Sequence, residues 1–207
     1  MFIELVDALR CPNQHEESWM VASASIMEAR HIVSGTLGCP VCAAEFPIER
    51  GVVDFRSARR DPPATEGSAA EPYALAALLD LRDAQGFAVL LGAWGSLAGE
   101  LTQLVETPLM LVDPPASITG SPGISVIRTD GGISLASGVA RAIAIDADSA
   151  GRLADAIRCT RTGGRVVAPA SLSLPAGVRR LAGDDALQVA EREPAAAPLV
   201  ALHVRRG

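Results

Sequence analysis

Lysine is absent from this 207-residue chain, whose 18 basic residues are all arginines. Asp and Glu together number 24, so the formal net charge at pH 7 is −6. Electrostatic attraction to phosphates supplies most non-specific binding to nucleic acids, and an acidic chain lacks it. We therefore do not expect nucleic acid as a partner.

Aromatic residues and long apolar runs are also scarce. Aromatics make up 3% of the chain against 49% for all hydrophobic residues, so the core is expected to be aliphatic. No stretch approaches the roughly 18 apolar residues that a transmembrane helix needs. The first residues include Glu4 and Asp7 and lack the basic region of a signal peptide. These features predict a cytoplasmic protein with no membrane association.

The composition changes along the chain and predicts two domains. Residues 1–56 contain three of the four cysteines and two of the three histidines. Residues 57–70 include Pro62 and Pro63 among Gly, Ser and Thr, a composition typical of linkers. The predicted division is a small module at 1–56, a linker at 57–70 and a larger domain at 71–207.

A pair of cysteines with metal-ligand spacing lies in the first module. Cys39 and Cys42 form a Cys-x-x-Cys motif, whose tight turn lets two thiolates face one tetrahedral ion. Cys11 supplies a third thiolate from a separate segment. A module of this size buries little apolar surface, so bound zinc would stabilise its fold. The alternative interpretation is that Cys39 and Cys42 are reduced thiols in the core.

The fourth zinc ligand is the open point of this prediction. The position three residues after Cys11 holds Gln14, a poor zinc ligand, and His15 follows it directly. His15 is the preferred fourth ligand, and His31 is the competing choice. A site with four protein ligands has no open position, so this zinc is expected to be structural. The predicted metal ligands are Cys11, His15, Cys39 and Cys42.

The sequence around these cysteines resembles the Trm112-type zinc-binding family. The resemblance lies in LRCP near the start and in CPVCAAEFPIERGVVDF at residues 39–55. The first half departs from the family, because Gln14 stands where a second cysteine is usual. Members of this family are partners or activators of methyltransferases, or occur fused to them. The resemblance therefore implies a small, β-rich zinc ribbon that docks on a protein. The further matches are Phe46, Pro47, Ile48, Gly51, Val52 and Phe55.

Apolar runs and helix-compatible stretches alternate in the second domain. Continuous apolar runs of this length are typical of strands that are buried on both faces of a sheet. They lie at 87–91, 109–112, 124–127, 142–145, 165–168 and 199–204. Helices are predicted at 72–85, 97–106 and 148–160. The alternation predicts an α/β fold with a mostly parallel, Rossmann-like sheet and flanking helices, closed by a hairpin of 186–193 with 199–204.

Glycines and acids follow the first three strands of this domain. The first strand runs into Gly92 and Gly95, and such a turn allows the close approach of a nucleotide-like ligand. Asp113 ends the second strand, where a carboxylate can accept both ribose hydroxyls. Asp130 follows the third strand and is placed to meet an adenine amino group. These four residues are the predicted cofactor-binding set, with turn or cap roles as the alternative for both acids.

This ordered set resembles the class I S-adenosylmethionine-dependent methyltransferase fold over residues 72–207. The glycine loop, the two acids and the segment AIRCTRTGGRVVAPA follow one another in that family's order. Two departures stand out. Leu90 replaces the acid that usually precedes the first glycine, and Trp94 replaces the second glycine, where its indole is large enough to occupy ligand space. The resemblance implies a Rossmann-like domain that binds S-adenosylmethionine or has lost that ability.

Two functional hypotheses follow. In the favoured one, the chain is a pseudoenzyme, a zinc-binding scaffold subunit with an incomplete S-adenosylmethionine site and no catalytic residue. In the alternative, it is an active methyltransferase of small molecules or proteins, since methyl transfer depends mainly on alignment. We expect a protein partner or a second copy of the chain. Trp19 and Met20 mark a candidate docking surface, unless Trp19 belongs to the core.

Overall fold

The strands of this protein form one large sheet. In the computed structural model, which describes residues 1–58 and 71–194, eleven strands belong to it. In chain order they are β1 (Val21–Glu28), β2 (His31–Gly38), β3 (Glu45–Glu49), β4 (Val52–Asp54), β5 (Ala88–Leu91), β6 (Leu109–Val112), β7 (Ile124–Arg128), β8 (Ala140–Ala144), β9 (Thr160–Pro169), β10 (Val178–Gly183) and β11 (Leu187–Arg192).

The centre of this sheet is parallel. The strand order is β1-β2-β3-β4-β7-β6-β5-β8-β9-β11-β10. The strands from β4 to β9 in this order run parallel to one another, and antiparallel pairs flank them on both sides. After β5 the chain continues to one side of the sheet, and after β8 it continues to the other. A topological switch point therefore lies between β5 and β8.

The central strands are buried because their apolar side chains pack against core clusters on both faces of the sheet. Every residue of β5, β6, β7 and β8 is buried. Successive side chains of a strand point to opposite faces, so Val89 and Leu91 join one core cluster while Ala88 and Leu90 join the other. The prediction of a mixed α/β fold with a large, centrally parallel sheet is confirmed.

Three short helices cover the faces of the sheet in the described part of the chain. They are α1 (Pro72–Leu78), α2 (Ala98–Leu104) and α3 (Leu153–Cys159). Each is shorter than the sequence predicted. Asp80 adopts a left-handed φ of 57° just beyond α1, which ends the helical path. Thr160 is extended and begins β9 directly after α3.

Two tight hairpins shape the N-terminal segment. The turn between β1 and β2 has φ of 43° at Ala29 and 66° at Arg30. The turn between β3 and β4 has φ of 50° at Arg50 and 71° at Gly51. Positive φ at both central residues is typical of type I′ turns, whose twist matches that of the paired strands.

The N-terminal strands are continuous with the parallel sheet. β4 pairs in parallel with β7, with Val53 opposite Ile127. Leu5 and Val6 of the 3-10 helix Ile3–Ala8 lie in the same core cluster as Val89. The division into a module, a linker and a second domain stays a prediction. One sheet contains strands from both sides of the predicted boundary at residue 56.

Five of the six predicted apolar runs lie in strands. The sixth, at 199–204, lies outside the described residues, as does most of the predicted linker at 57–70. The antiparallel hairpin that closes the sheet consists of β10 and β11. The predicted strand at 186–193 is therefore present, but its described hairpin partner is the segment that precedes it.

Candidate metal centre and cofactor edge

Four side chains of the N-terminal segment meet at one point. The donor atoms of Cys11, His15, Cys39 and Cys42 all lie within 4.8 Å of one another. The Sγ atoms of Cys11 and Cys42 are 3.8 Å apart, and Sγ of Cys39 is 3.4 Å from Nε2 of His15. Tetrahedral zinc ligands at ordinary bond lengths lie about 3.5 to 3.8 Å from one another. The donor set therefore fits a tetrahedral metal ion in both chemistry and spacing.

The turn after β2 holds two of these donors. The backbone N–H of Cys39 donates to the carbonyl of Ala44 at 2.9 Å, and that of Ala43 donates to the carbonyl of Cys39 at 3.0 Å. Asn13 donates to Sγ of Cys42 at 3.4 Å. This bond and one from the Ala44 backbone lower the pKa of the Cys42 thiol to about 6. The turn thus favours the thiolate, which is the form that binds metals.

His15 is oriented by a neighbouring carbonyl. Its Nδ1 lies 2.5 Å from the carbonyl oxygen of Glu16, which leaves Nε2 directed at the thiol of Cys39. A hydrogen bond of this kind fixes the tautomer and direction of metal-binding imidazoles. Gln14 is exposed and lies outside the cluster.

His31 lies away from the thiols. It is buried at the start of β2, with Nε2 2.8 Å from the Met1 nitrogen. Burial, with a smaller effect of the charge on that nitrogen, lowers the pKa of His31 to about 4. The structure groups His15, and not His31, with the three cysteines.

The carboxyl ends of the parallel strands bring a second set of residues together. Gly92 follows β5 directly, and Asp113 follows β6 directly. Asp130 and Asp146 each lie two residues beyond β7 and β8. Ligands of open α/β sheets bind along this edge, next to the switch point. The edge, here called the cofactor edge, thus contains the predicted glycine turn, both predicted acids and Asp146.

Gly92 turns the chain directly beside the carboxylate of Asp146. Its φ of 58° lies in the left-handed region, and a Cβ at this position would overlap that carboxylate. Oδ2 of Asp146 accepts a hydrogen bond from the Ala93 backbone at 2.7 Å, and Oδ1 accepts one from the Ser149 backbone at 2.9 Å. The space beside the glycine turn therefore holds a side chain of the protein itself.

Gly95 and Trp94 have packing roles. A Cβ at Gly95 would lie 2.5 Å from Cβ of Pro114, so glycine allows the 3-10 helix Gly92–Leu97 to approach the loop after β6. Trp94 is 5% exposed and belongs to the core cluster that contains Leu75 and Leu101. The indole is therefore part of this core.

Asp113 is held by two side chains. Its Oδ1 accepts a hydrogen bond from the Thr129 backbone at 2.9 Å, and its Oδ2 accepts one from the Thr129 hydroxyl at 3.0 Å. The guanidinium of Arg152 donates to the same Oδ2 at 2.5 Å. Asp113 also has a left-handed φ of 49°.

Asp130 connects the cofactor edge to the N-terminal segment. Its Oδ2 accepts hydrogen bonds from both the backbone N–H and the hydroxyl of Ser57, at 2.7 and 2.8 Å. The backbone N–H of Phe55 donates to the carbonyl of Arg128 at 2.8 Å in the same region. The chain that leaves β4 is thereby fixed against the loop after β7.

S-adenosylmethionine, the cofactor that the second resemblance implies, does not fit the edge in this arrangement. The carboxylate of Asp146 occupies the space beside Gly92 and accepts a hydrogen bond from the Ala93 N–H. The carboxylate of Asp113 is paired with Arg152. Two adjacent ribose hydroxyls could both reach the carboxylate of Asp113 only after Arg152 had been displaced.

Of the side chains that fill this edge, only Asp146 had a signal in the sequence. Asp146 follows the fourth predicted strand, so its place at the edge could have been inferred. Arg152 and Ser57 offered no such signal, because their partners Asp113 and Asp130 are 39 and 73 positions away. Contacts at this separation depend on the packing of the whole sheet.

Comparisons with known proteins give structural likenesses only. No family model and no curated protein matches the chain. A chain from the complex between the Haloferax volcanii Trm112 methyltransferase activator and a protein assigned as a methyltransferase is 11% identical, with a TM-score of 0.43, over 61% of this chain and 91% of its own. The antibiotic-resistance methyltransferase Kmr is 17% identical, with a TM-score of 0.39, over 63% of this chain and 98% of its own.

A third likeness is to the T. Thermophilus 16S rRNA N2 G1207 methyltransferase (RsmC) in complex with AdoMet and guanosine. It is 18% identical, with a TM-score of 0.36, over 82% of this chain, which spans 47% of that protein's length. With TM-scores below 0.5, these likenesses leave the function to be argued from the residues of this chain. Among the described residues, no helix is long and apolar enough to cross a membrane.

Proposed function

We propose that the chain is a zinc-binding, methyltransferase-like protein that acts as a non-catalytic binding subunit. Its metal part is a structural zinc centre of Cys11, His15, Cys39 and Cys42, supported by donor spacing that suits a tetrahedral ion. Four protein ligands leave no position for a substrate. Zinc would join the loop before β1 to the turn after β2, so that metal binding stabilises the N-terminal segment.

The non-catalytic part of this proposal rests on Asp113. A carboxylate that is to bind ribose hydroxyls must have acceptor positions available to a ligand. In this protein Asp113 already accepts hydrogen bonds from Thr129 and Arg152. The glycine turn is likewise filled, by Asp146. Both halves of the expected cofactor site are therefore engaged in contacts within the chain.

A second candidate function is an active S-adenosylmethionine-dependent methyltransferase. It is favoured by the left-handed φ of 49° at Asp113, since backbone strain of this kind clusters at functional sites. The position of this residue at the carboxyl ends of the parallel strands has the same implication. Under this reading the contacts of Asp113 and Asp146 would open when the cofactor binds.

A protein is the expected ligand of a non-catalytic subunit. Six of the eight exposed large hydrophobic residues in the described chain lie within residues 1–56. Trp19, Val21 and Val41 are 62%, 61% and 57% exposed. Exposed apolar side chains that are concentrated in one region are typical of protein-binding surfaces. We therefore place the partner on the N-terminal segment.

Calorimetric titration of the zinc-loaded, full-length protein with S-adenosylmethionine and S-adenosylhomocysteine tests this proposal. We expect no saturable binding of either ligand up to about 1 mM. Saturable binding at micromolar ligand would reject the non-catalytic subunit and favour the enzyme. A thermal shift with the same ligands checks the result, since any ligand of the folded state raises the unfolding temperature.

A further inference from the structure

We infer that Arg152 acts as an internal ligand that keeps a nucleoside site at Asp113 closed. The inference rests on the proposed function, because it explains why the cofactor edge takes no cofactor. The ligand class that the site would accept is a molecule with a cis-diol, such as a ribonucleoside.

The acceptor positions of Asp113 single out the contact with Arg152. An ionised carboxylate offers about four acceptor positions, two on each oxygen. Thr129 takes one position on Oδ1 through its backbone and one on Oδ2 through its hydroxyl. Arg152 takes the second position on Oδ2. Without Arg152, each oxygen would retain one open position, which is the pattern that two adjacent hydroxyls require.

Arg152 is placed for this role by the backbone around Asp146. Arg152 ends the 3-10 helix Ala150–Arg152 between β8 and α3. Its backbone N–H donates to the carbonyl of Ser149 at 2.8 Å, and the N–H of Ser149 donates to Oδ1 of Asp146 at 2.9 Å. The carboxylate that fills the glycine turn therefore also anchors the segment that carries the arginine.

The guanidinium itself is held by one partner. Among the described residues, Asp113 accepts its only hydrogen bond, and the two side chains are 24% and 23% exposed. The pair is thus partly shielded from water, and no second described acceptor holds the guanidinium in place. Such a contact can be removed by substitution without leaving several buried donors unpaired.

The size of the expected effect follows from competition. A ligand that binds only the open state has its affinity reduced by the fraction of molecules that are open. One hydrogen bond between charged, partly buried groups corresponds to a factor of about 10 to 100 in that fraction. Removing the guanidinium should therefore strengthen nucleoside binding by about 10- to 100-fold.

The experiment compares binding of adenosine and S-adenosylhomocysteine by full-length proteins in calorimetry. The variants are Arg152→Ala, Arg152→Lys, the double variant Arg152→Ala/Asp113→Asn, and Arg179→Ala as an arginine control on β10. We expect Arg152→Ala to gain binding and the lysine variant and the control to match the unsubstituted protein. The double variant should lose the gain, because it lacks the carboxylate that would hold the hydroxyls.

Two results would overturn the inference. One is a folded Arg152→Ala protein that binds no better than the unsubstituted chain. The other is a double variant that binds as well as Arg152→Ala, since the gain would then not involve Asp113. If Arg152→Ala does not fold, Arg152→Gln is judged by the same criteria, because it keeps most of the aliphatic stem.

The outcome separates this inference from the proposed function. Micromolar binding by the unsubstituted protein would reject the closed site, and with it the non-catalytic subunit. If neither the unsubstituted protein nor the Arg152→Ala variant binds the nucleosides, the proposal of a non-catalytic subunit is retained. Only the assignment of Arg152 as the cause of closure would then be lost.

Discussion

The carboxylate of Asp146 occupies the space beside the α-carbon of Gly92, and its Oδ2 accepts the N–H of the next residue, Ala93, at 2.7 Å. The glycine is therefore required by the protein's own side chain as well as by its φ of 58°. In a cofactor-binding turn, the same glycine would make room for the ligand. Substituting Asp146 therefore shows whether Gly92 makes room for this side chain or for a ligand.

We predict that Gly92→Ala costs about 3 kcal/mol of folding free energy, from the positive φ and from overlap with Asp146. In an Asp146→Ala background the overlap is gone, and the same change should cost only about 1 kcal/mol. Urea unfolding of the four proteins measures both values in a double-mutant cycle. Equal costs in the two backgrounds would show that Asp146 does not fill the turn.

The strands and the metal donors were accessible to sequence reasoning because their signals are local. Apolar runs such as 109–112 predict buried strands, and Cys39 and Cys42 predict a metal-binding turn by their spacing alone. The fourth donor was harder, since Gln14 broke the usual pattern. His15 could be preferred only because it is adjacent to that position.

The contacts that close the cofactor edge were not accessible, because they join residues from distant strands. Asp113 was correctly placed at the end of a strand, but its pairing with Arg152 depends on how β6 and the segment after β8 come together. The pairing of β4 with β7 likewise joins residues that are distant in the sequence. The sequence predicted a linker at 57–70 between two domains, whereas β4 of the first part pairs directly with β7 of the second.

The zinc centre gives a prediction about its fourth ligand. The protein should contain one zinc per chain, and His15→Ala should weaken zinc binding by at least about tenfold, because one of four ligands is lost. His31→Ala should leave the metal content unchanged, since His31 lies outside the cluster. Elemental analysis and competition with a chelator measure both effects.

A rescue variant sharpens this test. Gln14 stands three residues after Cys11, the spacing of a Cys-x-x-Cys pair. In a His15→Ala background, Gln14→Cys should therefore restore zinc affinity through a site with four thiolates. A metal-free protein that is fully folded would refute the zinc centre, and an unchanged affinity in His15→Ala would refute its fourth ligand.

His31 makes the stability depend on pH. Burial lowers the pKa of His31 to about 4 in the folded protein, against about 6.5 in an unfolded chain. The unfolded state therefore binds the proton more readily, so this contribution to stability is complete above about pH 6.5 and is lost as the pH falls towards 4. Within that window the loss should approach about 1.4 kcal/mol per pH unit.

Chemical unfolding between pH 4 and 8 tests this dependence against a His31→Gln variant. Glutamine keeps a polar group near the Met1 nitrogen, which lies 2.8 Å from Nε2 of His31, but does not titrate. The unfolding free energy of the unsubstituted protein should fall relative to that of the variant as the pH falls from about 6.5 towards 4. A difference independent of pH would mean that His31 is not buried as a neutral base.

The two tryptophans of the chain should report opposite environments. Trp19 is 62% exposed with the guanidinium of Arg10 3.7 Å from its ring centroid, whereas Trp94 is 5% exposed. The suggestion that Trp19 is a core residue was therefore wrong. A surface stacking contact of this kind contributes about 0.5 to 1 kcal/mol, so Trp19→Ala should destabilise the fold by no more than that.

Fluorescence separates the two side chains. The Trp94→Phe variant retains Trp19 and should emit at long wavelength with steep acrylamide quenching, because water and quencher reach the ring. The Trp19→Phe variant retains Trp94 and should emit at short wavelength with shallow quenching, because the ring is packed among Leu75, Leu97 and Leu101. A protein partner that covers the N-terminal segment should protect Trp19 from acrylamide and leave Trp94 unchanged. Protection of Trp94 alone would place the partner elsewhere and contradict the proposed surface.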